Sequence, residues 1–448
     1  MHTHTDFHLV PSKMLCVKPY TCCIHAGTLQ SILILLLAYI CMFRDMPGAV
    51  GRSDKSQKQF SGIHSHLRRL NKPAVMSIKS PDGDTIDCVH ISLQPALDHP
   101  KLRNHKIKME VPPLPKGLGI NRKISPFGFS DANPDLKIQL WHTHGVGRCP
   151  AGTIPIRRTT EADLLRASKF VNYGRKRRKV FRPAPTELHV HNKLNEDGHQ
   201  HAIAYVEGDK FYGATAIMNV WNPTTQVPNE FSLSQIWLLA GPFEGDLNSV
   251  EAGWQVSPEL YGDNNTRLFT YWTSDAYQET GCYNLLCSGF VQINDRIALG
   301  ATISPVSTYN GEQFDIEILI WKDPRGGDWW MSFGQGCILG YWPSSLFSYL
   351  SDSATMVEWG GEVVNSRPGG HHTATHMGSG HFPWEGFGKA SYFSNVQIVN
   401  AANNLIQPPP TIHTFAEDAA CYDVQEGYNT DWGYYFYYGG PGSSHSCP

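Results

Sequence analysis

From about residue 187 onward the chain is a succession of short runs rich in aromatic and β-branched residues, separated by Gly, Pro and Asn turns. They are FYGATAIMNVW (211–221), SLSQIWLLA (232–240), SVEAGWQVSP (249–258), RLFTYWTS (267–274), GFVQIN (289–294), FDIEILIWKD (314–323), WWMSFG (329–334), ILGYWP (338–343), MVEWGGEVV (356–364) and ASYFSNVQIVN (390–400). Such runs fit a pleated, half-buried surface, and no helical pattern lies between them. The expected class is all-β, an antiparallel β-sandwich or barrel. No repeat of 20 to 50 residues is present, which disfavours a propeller or solenoid. The aromatic fraction of 11% agrees with this class. A net charge of −3, with only 17% charged residues, argues against a nucleic-acid partner.

Side chains alternate faces along a strand. In MVEWGGEVV this puts Val357, Trp359 and Val363 on one face and Glu358, Gly360 and Glu362 on the other. SVEAGWQVSP repeats the arrangement, with Glu251, Gly253 and Gln255 opposite Val250, Ala252, Trp254 and Val256. Two readings stand: a solvated outer face with a bend, or a groove with acids in its floor and glycines that let a substrate approach. Close carboxylates titrate as a unit and share a proton, so one can activate water while the other donates. The same pair would suit glycoside hydrolysis.

The front of the chain differs. Residues 32–43, ILILLLAYICMF, are too short for a membrane span and fit a signal-peptide core, with Lys13 and Lys18 upstream and small residues Ala49 and Gly51 at a cleavage point. Residues 1–51 are therefore read as a signal peptide or leader, with an uncleaved signal anchor as the alternative. Cleavage would leave a secreted chain with no membrane insertion. Beyond the leader lie Cys88, Cys149, Cys282, Cys287, Cys337, Cys421 and Cys447, an odd number in an oxidising compartment. Asn264-Asn265-Thr266 is a glycosylation sequon. Residues 52–173 are mixed and polar, with a helix expected over 159–171 capped by Thr159 or Thr160, and residues 52–191 are read as a propeptide. The segment GRKRRKVFRPAP, 174–185, reads as an exposed linker open to proteases.

The run 248–292, together with MVEWGGEVVNSR (356–367) and YYGGPG (437–442), resembles the neprosin family, plant secreted proteins with a propeptide and a peptidase domain. The resemblance covers residues 192–448, and more weakly the propeptide through HLRRLNKPAVMSIKSPDGDTIDCV, 66–89. It implies two packed antiparallel sheets preceded by a small α+β propeptide. It further implies a glutamic endopeptidase that cleaves next to proline at acidic pH, inhibited by its own propeptide until maturation. The implied dyad is Glu251, in E-x-G-W-Q, and Glu362, in W-G-G-E, with Glu358 as fallback. The implied disulfides join Cys282 to Cys287 and Cys421 to Cys447. No metal or organic cofactor is expected, and the chain is expected to be a monomer acting on proline-containing peptides. The alternatives are a catalytically silent sandwich that binds cell-wall polysaccharide or peptide, and a two-carboxylate glycoside hydrolase.

Other residues carry less. His372 and His376 have helical metal spacing, but the Gly-rich context predicts a loop and the glutamate of HExxH is missing. The pairs His142/His144 and His189/His191 are given no metal role. Asp315 and Glu317 are read as a solvated strand face. No GxSxG elbow or phosphate loop is present, which disfavours serine hydrolase and nucleotide chemistry.

Overall fold

The structure is a computed structural model describing residues 61–117, 138–143, 147–167, 169–176, 198–334, 336–409 and 412–448. The leader, most of the basic linker, and His144, His189 and His191 lie outside the described residues. Two antiparallel sheets dominate. The first has the order β16 (His413–Ala416), β4 (His199–Phe211), β13 (Ala354–Val364), β6 (Ser232–Ala240), β7 (Asn248–Val256) and β8 (Arg267–Thr273). The second runs β17 (Asp423–Asn429), β18 (Gly433–Gly439), β14 (Ser391–Val399), β5 (Gly213–Asn219), β10 (Asp315–Lys322), β11 (Trp329–Phe333), β12 (Cys337–Trp342) and β9 (Val291–Gln292), with β15 (Leu405–Ile406) beside β14.

All ten expected strands are present. Val357, Trp359 and Val363 of β13 and Val250, Ala252 and Trp254 of β7 are fully buried in the main core. Trp254 donates from Nε1 to the Asn219 carbonyl at 2.9 Å, tying β7 to β5 across the sandwich. Where β13 passes under the second sheet the fit is closest at Gly361. A Cβ there would stand 2.6 Å from Tyr438 Cε2 and 2.7 Å from Met377 Cγ.

The front forms a small sheet of β1 (Ala74–Lys79), β2 (Thr85–His90) and β3 (Thr153–Arg157), closed by the Cys88–Cys149 disulfide. With short helices around it, this is the expected α+β segment, and it shares the main core through Ile63, Val89, Ile154 and Leu164. Gln94 and Gln292 exchange side-chain and main-chain hydrogen bonds, at 3.1 and 2.8 Å. Arg267, fully buried on β8, reaches Asp84 of the β1–β2 turn at 2.5 Å and Asp263 at 2.5 Å.

Some expectations need correction. The helix spans Glu161–Arg166 rather than 159–171. Thr160 caps it in a capping box with Asp163, but Ala167 is already extended and ends it. Asp315 is not solvated: it is buried and accepts a hydrogen bond from the Tyr392 hydroxyl at 2.9 Å. The 372–376 loop is irregular as expected, yet Thr373 is buried and donates to Glu230 at 2.6 Å. The glycines of the acid face answer to backbone crowding, not to an approaching substrate. A Cβ at Gly253 would lie 1.9 Å from the Ser234 carbonyl oxygen, and one at Gly360, where φ is +150°, would lie 2.3 Å from that of Ala202.

Gly361→Ala should therefore strain a packed interface, not merely stiffen a strand. Overpacking of this kind costs about 1–3 kcal/mol. A urea midpoint for the variant equal to the parent's would show that Tyr438 and Met377 yield freely.

Candidate functional site

The polar face of the six-stranded sheet holds the acids. On the ladder, Glu251 of β7 stands opposite Trp237 of β6, which stands opposite Glu358 of β13. Glu362 falls on the row of Gln255, Leu233 and His201. All three glutamates are buried: Glu251 is 0%, Glu362 4% and Glu358 8% exposed. The solvated outer face is thereby ruled out. Strand acids kept from water must be paired or neutral.

Glu251 is wrapped in donors. Its Oε1 accepts from Ser249 Oγ at 2.6 Å and from the Tyr277 hydroxyl at 2.8 Å, and its Oε2 accepts from Gln235 Nε2 at 3.3 Å. Tyr277 reaches it because Ala276 and Tyr277 both take left-handed backbone, with φ of 52° and 62°. The last ligand is Lys176, whose Nζ lies 2.7 Å from Glu251 Oε2 and 4.8 Å from the ring centres of both Tyr271 and Tyr277.

Lys176 corrects the reading of 174–185 as an exposed linker throughout. The described part, through Lys176, is docked. The Gly174 carbonyl accepts from Tyr283 N at 2.7 Å, and the Lys176 N–H donates to the Tyr271 hydroxyl at 3.2 Å. Gly174 has φ +85°, and a Cβ there would meet Leu286 at 2.7 Å. The loop that receives it is the one closed by Cys282–Cys287, a pairing that the structure contains together with Cys421–Cys447. Cys337 belongs to none of the three bridges, and its Sγ accepts from Asn294 Nδ2 at 3.3 Å. Beside the docked segment a cavity of about 870 Å³ extends past Lys176, His199, Phe231 and Glu259.

Glu362 has different company. His199 Nδ1 donates to its Oε1, and His201 Nε2 lies 3.8 Å from the same oxygen. Burial opposes its charge, but the hydrogen bond and charge of His199, then Lys176 and His201, hold its carboxyl far below the usual range. Glu358 goes the other way. Burial, with Glu362 and Glu251 nearby, outweighs His201 and pushes it up to about 7. The ladder alone would pair Glu251 with Glu358. Burial opposes the charge of the Lys176 ammonium, and Glu251 first and Glu362 second raise its pKa against that.

His199, His201, Tyr277 and Lys176 escape a reading based on motifs. β4 begins in a polar stretch, and only the alternation in HQHAIAYVE, with Ala202, Ala204 and Val206 buried together, marks it as a strand. The potential metal ligands His372, Cys421 and Cys447 cluster, but both sulfurs are in a disulfide.

Two family profiles match. The profile described as Neprosin covers residues 228–441, and the one described as Neprosin activation peptide covers residues 77–205. The chain belongs to the neprosin family. It is a peptidase precursor with its activation peptide in front. Solved structures that it resembles include Scytalido-glutamic peptidase with a peptide-based transition-state analogue, at 12% identity over 55% of this chain and 98% of that one, TM-score 0.30. Another is SCP-B, a member of the Eqolisin family, in complex with the tripeptide Ala-Ile-His, at 11% identity over 54% and 98%, TM-score 0.28. At those scores neither bears on the geometry above.

The folded value of Glu358 lies above its ordinary 4.5, so between there and about 7 the native chain keeps a proton that the unfolded chain has released. Stability therefore falls as pH rises through that window. Glu358→Gln removes this loss. The variant should be more stable than the parent at pH 7, by on the order of 1–3 kcal/mol, and equal to it near pH 4. Calorimetry across that range is the check, and parallel curves would refute the assignment.

Proposed function

We propose that the chain is the zymogen of a secreted glutamic endopeptidase that hydrolyses peptide bonds next to proline, with Glu251 and Glu362 as its dyad. The observation that carries the reading is Lys176. A residue of the front segment places its ammonium 2.7 Å from Glu251, where a substrate's reacting group would have to sit. Glu362, kept ionised by its two histidines, is the general base for water. Glu251, left among Ser249, Tyr277 and Gln235 once Lys176 departs, donates to the oxyanion of the tetrahedral intermediate. The 870 Å³ cavity beside Lys176 offers a path for an extended peptide. The preference for proline rests on the family resemblance.

Residues 1–51 act as signal peptide and residues 52–191 as activation peptide in this reading, leaving 192–448 as the mature enzyme. Three disulfides and the exposed Asn264 suit an extracellular, glycosylated product. The activation-peptide profile runs to residue 205, but β4 begins at His199 and lies between β16 and β13. The mature chain must keep that strand, so the cut falls before His199.

With an acid-treated chain and a proline-containing peptide, Glu251→Gln and Glu362→Gln should each lower turnover by ~100- to 10,000-fold, the double variant little more. Glu358→Gln should be milder. Normal cleavage by both single variants would end the dyad reading, and turnover of cell-wall glycan in place of peptide would make the enzyme a glycosidase.

Lys176→Met removes the ammonium and keeps the length of the side chain. The uncut variant precursor should turn over peptide measurably faster than the uncut parent, and N-terminal sequencing of the matured parent should read a start between residues 177 and 198. A start beyond His201 with full activity would contradict this account of maturation.

A further inference from the structure

We propose that His201, locked in place by Glu417, is a positioning residue that holds the Glu362 carboxylate ready to activate water. The inference rests on Glu362 being the base of the dyad. His201 lies on β4, directly across the ladder from Glu362 on β13. Its Nδ1 donates to Glu417 Oε1 at 2.8 Å, and its own main-chain N–H donates to Glu417 Oε2. Both oxygens of one carboxylate thus grip one residue and fix the ring, leaving Nε2 aimed at Glu362 Oε1, 3.8 Å away. Glu417 follows β16 and its side chain is 2% exposed, so this is a buried anchor and not a surface ion pair.

The charges around the ring come from every neighbouring element. Glu417 follows β16, Glu362 and Glu358 lie on β13, and His199 shares β4. The Trp237 ring of β6 stands edge-on with its centre 6.3 Å away. Burial opposes a charge on His201, but Glu417 first, then Glu362 and Glu358, outweigh it and raise its pKa to about 9. The imidazolium is therefore present at every pH where a shared-proton dyad works, and it persists after Lys176 has left. His199 makes the hydrogen bond to Glu362. His201 supplies the second positive charge, and Glu417 is the residue that keeps it there.

The test uses whole chains carrying His201→Gln, His201→Lys or Glu417→Gln, matured by a trace of wild-type enzyme and assayed for kcat and KM against pH on a proline-containing peptide. Loss of an opposite charge at this range raises a carboxyl pKa by about one unit or more. His201→Gln should therefore move the acid limb of kcat upward by about one pH unit, with KM within about twofold, and His201→Lys should move it back. Glu417→Gln should lower kcat several-fold at unchanged KM. A folded His201→Gln enzyme whose acid limb coincides with the parent's overturns the inference, as does a loss of kcat that is uniform across pH. If neither His201 variant folds, an unaltered kcat in Glu417→Gln overturns it. A dead Glu362→Gln beside an unshifted His201→Gln removes this inference alone, whereas an active Glu362→Gln removes the dyad reading beneath it.

Discussion

Three glutamates on one sheet face are taken out of water, and the surrounding structure answers the cost of doing so. An isolated buried carboxylate is expensive enough that it either finds a cation or keeps its proton. This face uses both solutions. Glu362 lies against His199 and His201 and stays ionised, while Glu358, buried with Glu362 and Glu251 nearby, is driven toward the neutral form. Glu251 has neutral donors on three sides and a cation from the front segment on the fourth. Environments that separate the charge states of neighbouring carboxyls make an acid and a base out of one residue type.

The front segment completes the charge balance in two places. At one, Lys176 lies against Glu251 and under the tyrosine rings. At the other, Arg267 of β8 meets Asp84 from the β1–β2 turn. The two contacts differ in what removal leaves behind. Arg267 retains Asp263, a partner four residues away in its own loop. Glu251 retains the Ser249 and Tyr277 hydroxyls and the Gln235 amide.

The disulfides belong to this scheme through the loops they shape. Cys282–Cys287 closes the loop on which Gly174 and the residues before Lys176 dock. Cys421–Cys447 closes the C-terminal region that begins just after Glu417, the residue that holds His201. Neither bridge touches Glu251 or Glu362, yet each lies next to an element that positions a charge near them.

The sequence by itself determined ten of the strands, their faces and the acids on them. Alternation with a period of two and Gly, Pro and Asn punctuation are local signals, and ten strands, including β6 over residues 232–240, were legible from them. β4 was not, because its first residues are polar, and it becomes a strand only by lying between β16 and β13. Whether Glu251, Glu358 and Glu362 face water or a closed site was also beyond the sequence, since a charge shows in a sequence and its partner does not. Lys176 sits in a basic run that reads as solvated, and Glu417 is 216 positions from the histidine it anchors. Only the tertiary structure decided these pairings, because the free energy of a buried charge is set by what stands within a few ångströms of it.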